Sequence, residues 1–413
     1  MKNLSKKQLI EAIVAFSLIV LVLVLGFAGV FATGTVFAKL LIGIGFGYVL
    51  TRGDYGFAGL SNRACRTGST KLLRSLLLMF VVSAMIVGAF LIGGNTLGLW
   101  VNPISWGLLV GGILFGIGMA FSSCCATGVL QDVPIGFSRA AITLIFFGVG
   151  VFLGFPLMSS GFVRTSLFTT DSYNGVWMVD WFSQGGTNMT LGVVGALLVT
   201  LLFAVGVGLL AKLYEKKVAK NFPVETPEVV EEQPVSLWNR LFVKKWSLTQ
   251  TALTIALLFG LLYAVNKQGW GASTVYGQWF GTILAKLGVS VDALVSFTGQ
   301  LPGSFTTKLF ESAGYMQNIG IILGAFIGLL LSGKFVESFK AGLKIKPLEI
   351  LLFAVGGLLL GFGTRLSLGC NVGALYTPIA NFSLAGWFYL FFLFGGGYLG
   401  NMLRKAFYKK LNK

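Results

Sequence analysis

Apolar runs of about 17 to 25 residues recur along the whole chain, separated by short polar segments. That is the length an α-helix needs to cross about 30 Å of hydrocarbon. The runs predict ten transmembrane helices, at 9–33, 35–51, 72–94, 105–122, 136–156, 188–211, 249–265, 317–333, 347–363 and 380–400. Residues 55–70 and 268–312 are rich in glycine and polar groups, and predict shorter or re-entrant helices. The fold class is therefore an all-α polytopic membrane protein.

Composition agrees, since 55% of the 413 residues are hydrophobic and only 11% are charged. A soluble domain carries about 25% charged residues. The net charge of +17 follows from where the loops place their basic residues, so we expect no nucleic-acid partner. The chain has no histidine and no G-x-x-x-x-G-K motif. We therefore expect no metal, no cofactor, no ATPase activity and no catalytic residues.

The distribution of Lys and Arg predicts the orientation. With the N-terminus in the cytoplasm, most of the 31 basic residues lie on the cytoplasmic side. Those predicted outside are Arg164, Lys267, Lys286, Lys308 and Arg365, and Lys39 lies within a span. Both termini are then cytoplasmic. The loop 157–187 is external and is either a plain surface loop or a substrate-capture segment.

A charged stretch containing proline, "EKKVAKNFPVETPEVVEEQPVSLWNR", lies near the middle of the chain. It predicts a flexible cytoplasmic linker over 212–246. The chain is thereby divided into a first transmembrane half, 1–211, and a second, 247–413.

Each predicted half carries one copy of a glycine-rich cysteine motif. Residues 111–130 read GGILFGIGMAFSSCCATGVL, and residues 356–375 read GGLLLGFGTRLSLGCNVGAL. The alignment without gaps pairs Ser122 with Ser367, Cys125 with Cys370 and Gly128 with Gly373, besides four earlier glycines. The predicted topology gives the two copies opposite directions, and such inverted repeats are typical of transporters with a site near the bilayer midplane.

The motif predicts a helix that breaks at Ser-x-x-Cys. Exposed backbone groups at a break are tolerated only inside protein or beside an aqueous cavity. We therefore expect Cys125 and Cys370 to lie at two breaks that face each other, although a membrane cysteine can also be a small apolar filler. A soft thiol suits a sulfur atom on a substrate. Arg365, one turn before Cys370, either attracts an anion or extends its charge to the membrane surface.

The stretches "FGIGMAFSSCCATGVL" and "LGFGTRLSLGCNVGALY" resemble the paired motifs of the YeeE/YedE family of sulfur-transport proteins over nearly the whole chain. The resemblance implies a bacterial inner-membrane, inverted-repeat bundle that imports thiosulfate by passing it intact along a few thiols. It also implies a small soluble cytoplasmic sulfur-carrier partner. Cys125 and Cys370 match the two central positions, and Cys65 and the extra thiol Cys124 are further candidates. The wording "NRACRTGS" around Cys65 resembles a branch associated with selenium.

Two alternatives remain open at this stage. The substrate is either thiosulfate or a selenium compound. The protein is either a transporter, which is not an enzyme, or a membrane thiol–disulfide oxidoreductase acting through Cys124 and Cys125. Such enzymes usually separate their thiols by two residues and lower the thiol pKa with a nearby cation, so an adjacent pair favours transport.

Overall fold

A computed structural model describes residues 6–183, 188–218 and 237–411. Its helices in the first half are α1 Lys6–Phe27, α2 Gly34–Gly53, α3 Gly59–Thr67, α4 Lys71–Ile92, α5 Trp106–Ser122, α6 Ala126–Asp132, α7 Phe137–Gly154, α8 Gly161–Arg164 and α9 Met189–Val218. Those that follow are α10 Leu248–Asn266, α11 Thr274–Lys286, α12 Val291–Thr298, α13 Gly303–Thr306, α14 Ala313–Leu331, α15 Phe335–Gly342, α16 Pro347–Leu366, α17 Thr377–Ala380 and α18 Ala385–Leu411. Short 3-10 and π-helical turns occupy Phe155–Ser159, Asn239–Val243 and Asn371–Tyr376.

The all-α membrane fold is confirmed. Within the described ranges there is no strand, and nine helical segments are long and apolar enough to span a bilayer. The tenth predicted span corresponds to α18, which has 27 residues and is less apolar than the other nine. Residues 55–70 contain α3, and residues 268–312 contain α11, α12 and α13, as predicted.

Several predicted span ends are wrong. The first span was expected to reach residue 33, but α1 ends at Phe27, and Gly29 follows with a positive φ of 71°. Thr33 then starts α2, its hydroxyl oxygen accepting a hydrogen bond from Val36 N at 3.3 Å. The last span was expected over 380–400, but α18 starts at Ala385 and continues to Leu411. Hydropathy indicates which part of a helix contacts lipid. The helix itself continues beyond that part for as long as its backbone hydrogen bonds continue.

The predicted linker, 212–246, is only partly described. Residues 212–218 extend α9, and the chain from 237 onward packs on α2, where the Tyr48 hydroxyl donates to Leu241 O at 3.0 Å. Both ends of the predicted linker therefore have defined structure, whereas the prediction was a flexible linker over its whole length. Residues 219–236 lie outside the described part of the chain, and the division into halves stays a prediction.

Helices α5 and α16 cross where both lack side chains. A Cβ added to Gly111 would lie 2.7 Å from Gly363 O, and one added to Gly118 would lie 2.8 Å from Gly356 O. Glycine at these four positions lets the backbones touch. In the motif alignment Gly111 corresponds to Gly356, and Gly118 to Gly363. The contact of Gly111 with Gly363 therefore corresponds to the contact of Gly356 with Gly118. This exchange is the pattern expected for elements related by a two-fold axis.

Other helix pairs repeat the same exchange. Helix α5 packs on α18, as α16 packs on α7, and α2 packs on α14, as α10 packs on α4. Helix α9 packs on α4, as α1 packs on α14. All of these contacts except that between α9 and α4 join the first half of the chain to the second. The centre of the bundle is thus assembled from both copies of the motif.

Many large apolar side chains remain exposed on the outer helices, as expected for surfaces in contact with lipid. An apolar groove of about 980 Å³ between α4, α5, α9 and α18 is lined by residues such as Phe203, Leu210 and Phe391. None of the predicted site residues lines it. Lipid is therefore the partner that this surface fits.

Candidate functional site

The first helix break lies between α5 and α6. Ser123 has a left-handed backbone with φ 60°, and the Ser122 hydroxyl lies 2.8 Å from Gly118 O and 3.2 Å from Cys124 O. Cys125 precedes α6, and its sulfur accepts a hydrogen bond from Gly128 N at 3.3 Å. The serine and the cysteine thus bond backbone groups that the break releases, and the break is a defined structure.

The second break repeats the first at the aligned positions. Helix α16 ends at Leu366, Leu368 has φ 56°, and Cys370 precedes the π-helical turn Asn371–Tyr376. The Ser367 hydroxyl lies 2.7 Å from Gly363 O and 2.9 Å from Gly369 O. A left-handed leucine costs about 1–2 kcal/mol. Such strain, kept at the same position of both copies, is typical of a functional site.

Each break carries one of the two central thiols. Cys125 and Cys370 are fully buried and lie within electrostatic range of each other. Tyr276 of α11 is an electrostatic neighbour of both thiols and of Cys124, and Tyr389 of α18 is an electrostatic neighbour of both thiols. Helices α5 and α16 cross at the motif glycines, and the grouping of the two thiols into one site stays a prediction.

The other two cysteines differ from each other. Cys124 is buried beside Cys125, and its neighbours include Asp132 and Arg139. Cys65 is half-buried on α3, where Arg66 and Tyr214 are its electrostatic neighbours in the described part of the chain. The structure thus places Cys124 next to the paired thiols and Cys65 apart from them.

The paired motif glycines allow close approach. A Cβ on Gly128 would lie 3.2 Å from the Cys125 sulfur, and one on Gly373 would lie 3.2 Å from the ring of Trp100. Asn102 also donates its side-chain amide to Gly373 O at 3.3 Å. The segment between α4 and α5 therefore covers the second break.

Arg365 is buried, with 1% of its surface exposed, so it does not extend to the membrane surface. Its guanidinium donates to the hydroxyls of Ser273 at 2.7 Å and Thr274 at 3.1 Å, and its Nε donates to Thr364 Oγ1 at 3.1 Å. Among the described residues no carboxylate forms an ion pair with it. A buried cation held only by neutral groups is expensive.

Several residues of the site were missed by sequence reasoning. The Tyr276 hydroxyl donates to Ala126 O, the first residue of α6. The Asn371 amide donates to the Met119 sulfur at 3.1 Å, while Asn371 Oδ1 has no partner within the described ranges. Asn371 follows Cys370 directly, so the motif itself signalled it. Tyr276 and Tyr389 come from distant helices, and nothing in the motif indicates them.

The fold and the site together define a polytopic helical membrane protein with two broken helices that cross in the interior of the bundle, each followed by a buried cysteine. The family model for sulphur transport matches residues 52–399, so the chain belongs to the sulphur transport family. This confirms the resemblance seen in the motifs.

Curated relatives agree. The chain is 25% identical over 362 residues to a thiosulfate transporter, TsuA, from Spirochaeta thermophila, which covers 87% of this chain and 96% of the relative. It is 26% identical over 376 residues to TsuA of Escherichia coli, which covers 89% and 94%. A probable transporter, YedE, from Escherichia coli is 28% identical over 148 residues, or 36% of this chain and 35% of the relative.

Proposed function

We propose that this protein imports a small sulfur-containing anion, thiosulfate, along a path that passes Cys125 and Cys370. The observation that carries the proposal is that two buried thiols, which are electrostatic neighbours, follow aligned helix breaks. The family match and the two thiosulfate transporters among its relatives support it. Thiols are weak, polarizable donors and acceptors, so they suit the terminal sulfur of thiosulfate better than a hard oxygen ligand does.

Arg365 supplies the charge that the thiols lack. Its guanidinium has no acidic partner in the described chain, and it lies on the α16 side of the second break. A free oxyanion can complete its coordination with charge-assisted hydrogen bonds. We assign to Arg365 the oxygens of the substrate and to the cysteines its sulfur.

We assign no chemical step to the site. Transport of this kind leaves the substrate whole, since thiol contacts of this strength do not break an S–S bond. The oxidoreductase alternative needs Cys124 and Cys125 to exchange disulfides, whereas the proposed path uses one thiol from each motif, Cys125 and Cys370. A small cytoplasmic sulfur carrier as recipient is part of the proposal and comes from the family resemblance.

We further propose a bacterial inner-membrane location with both termini and residues 219–236 in the cytoplasm, from the distribution of Lys and Arg. In a cysteine-free background, Glu225→Cys should react with an impermeant maleimide only after the cells are opened. A cysteine at Asp171, in the loop predicted to be external, is the matched control and should react in intact cells. Reaction of Glu225→Cys in intact cells would refute this orientation and the inward direction of transport.

Uptake by the purified protein in liposomes tests the function itself. Labelled thiosulfate should accumulate above the level of empty liposomes, and excess unlabelled thiosulfate should compete. Competition by a selenium-containing anion at a much lower concentration than by thiosulfate would show that selenium is the substrate. If labelled thiosulfate does not accumulate above the level of empty liposomes and no unlabelled anion competes, the proposed function is ruled out.

A further inference from the structure

Two arginines converge at the end of α5, beside the first helix break. Arg66 of α3 donates to Ala120 O at 3.0 Å and to the Ser123 hydroxyl at 3.3 Å. Arg404 of α18 donates to the same carbonyl at 2.9 Å and to the same hydroxyl. Two guanidinium groups from opposite ends of the chain thus share two acceptors next to Cys124.

This arrangement is electrostatically costly. Burial and the nearby Arg404 guanidinium lower the pKa of Arg66 to about 10. Neither arginine forms an ion pair within the described part of the chain. The nearby carboxylate of Asp132 is already taken by Arg139, at 2.7 Å. Within the described residues, the positive charges of Arg66 and Arg404 therefore have no ion-pair partner.

Helix capping does not account for both arginines. A basic residue near a helix C-terminus stabilises the last carbonyls, and one arginine on Ala120 O would suffice. Arg404 uses only its Nη1 on these acceptors, while its Nε and Nη2 make no hydrogen bond to described residues. Arg66 uses one N–H of each terminal nitrogen. Several guanidinium N–H donors of Arg66 and Arg404 therefore remain available beside Ser123.

The cluster also lies at the opposite end of the crossing from Arg365. Helices α5 and α16 run antiparallel, with Gly111 beside Gly363 and Gly118 beside Gly356. Arg365 follows Gly363 at one end, and Ala120 follows Gly118 at the other. Along the sequence, Cys370 follows Arg365 and Cys125 follows Ala120. Each break thus has arginine charge close to it, the buried Arg365 at one and the exposed Arg66 with the half-buried Arg404 at the other.

We propose that Arg66, Arg404 and the Ser123 hydroxyl form a second anion-binding site, which takes the oxygens of a sulfur oxyanion after it has passed the thiols. The proposal rests on the proposed function for the identity of the anion and the direction of passage. Guanidinium groups bind such oxygens through paired N–H donors. The site would hold the anion on the cytoplasmic side before its release.

Binding of thiosulfate and of inorganic sulfate to the purified full-length protein tests this site. In an Arg365→Gln background, Arg404→Gln should weaken binding of both anions about tenfold or more, since a charge-assisted hydrogen bond is lost. Lys405→Gln is the matched control, because it removes one charge from the next, exposed residue of α18. It should bind as the background does.

The outcomes separate this site from the function. Unchanged binding in Arg404→Gln while the parent protein transports thiosulfate would overturn the site alone. Weakened binding in Arg404→Gln without any thiosulfate uptake by the parent would keep the site and overturn the function. If Arg404→Gln is not recovered as a folded protein, Arg66→Gln and Arg404→Lys replace it in the comparison. Anion binding by both variants as tight as that of the Arg365→Gln background would overturn the site.

Discussion

Replacing Cys125 or Cys370 with serine should reduce thiosulfate uptake at least about tenfold, which corresponds to about 1.4 kcal/mol of barrier. Serine keeps the approximate size but replaces a soft sulfur with a hard oxygen. Both side chains are fully buried at the start of a helical segment, and a serine oxygen serves well at such a position. Insertion and abundance should therefore be unaffected, and only uptake should fall.

Cys124→Ser and Cys65→Ser are the matched controls. Cys124 is buried beside Cys125 but aligns with Gly369, and Cys65 lies on α3. Uptake should fall less in Cys124→Ser than in either central variant, and least in Cys65→Ser. Normal uptake by both central variants, at equal abundance, would show that these thiols are apolar filler.

Replacing Arg365 with glutamine should weaken transport without lowering the stability of the protein. The charge is buried without an ion-pair partner in the described chain, so removing it should leave the thermal unfolding midpoint unchanged or raise it. The substrate concentration for half-maximal uptake should rise about ten- to a hundredfold, because charge-assisted hydrogen bonds of about 1.5–3 kcal/mol are lost. Uptake kinetics and thermal unfolding of the same preparation give both values.

Arg365→Lys keeps the charge and removes the planar fork, so its half-maximal concentration should lie between those of the parent and Arg365→Gln. A variant that unfolds at a much lower temperature while its uptake kinetics stay normal would contradict the account. Arg365 would then be a structural residue that holds α11 through Ser273 and Thr274.

The spans and breaks could be predicted because their causes are local. Apolar runs located all ten long helices, and Ser-x-x-Cys located both breaks. Helix ends were less accurate, as at Phe27 and Leu411, because lipid contact and backbone hydrogen bonding stop at different residues.

The surroundings of the thiols could not be predicted, because they depend on contacts between distant helices. Tyr276 reaches Ala126 across 150 residues, and Arg404 reaches Ser123 across 281. Neither residue belongs to a motif, and both become part of the site only once α11 and α18 pack against α5 and α6. Cys65 illustrates the converse, since a cysteine in a suggestive segment lies apart from the paired thiols.

The central claim is that the protein carries its substrate intact past two thiols. The most direct measurement is uptake by purified protein in liposomes of thiosulfate labelled separately on its two sulfur atoms. The account predicts that both labels enter together, in a constant ratio and without an external electron acceptor, and that Cys125→Ser abolishes entry of both. Entry of one label without the other, or a strict need for an oxidant, would contradict it and favour thiol–disulfide chemistry.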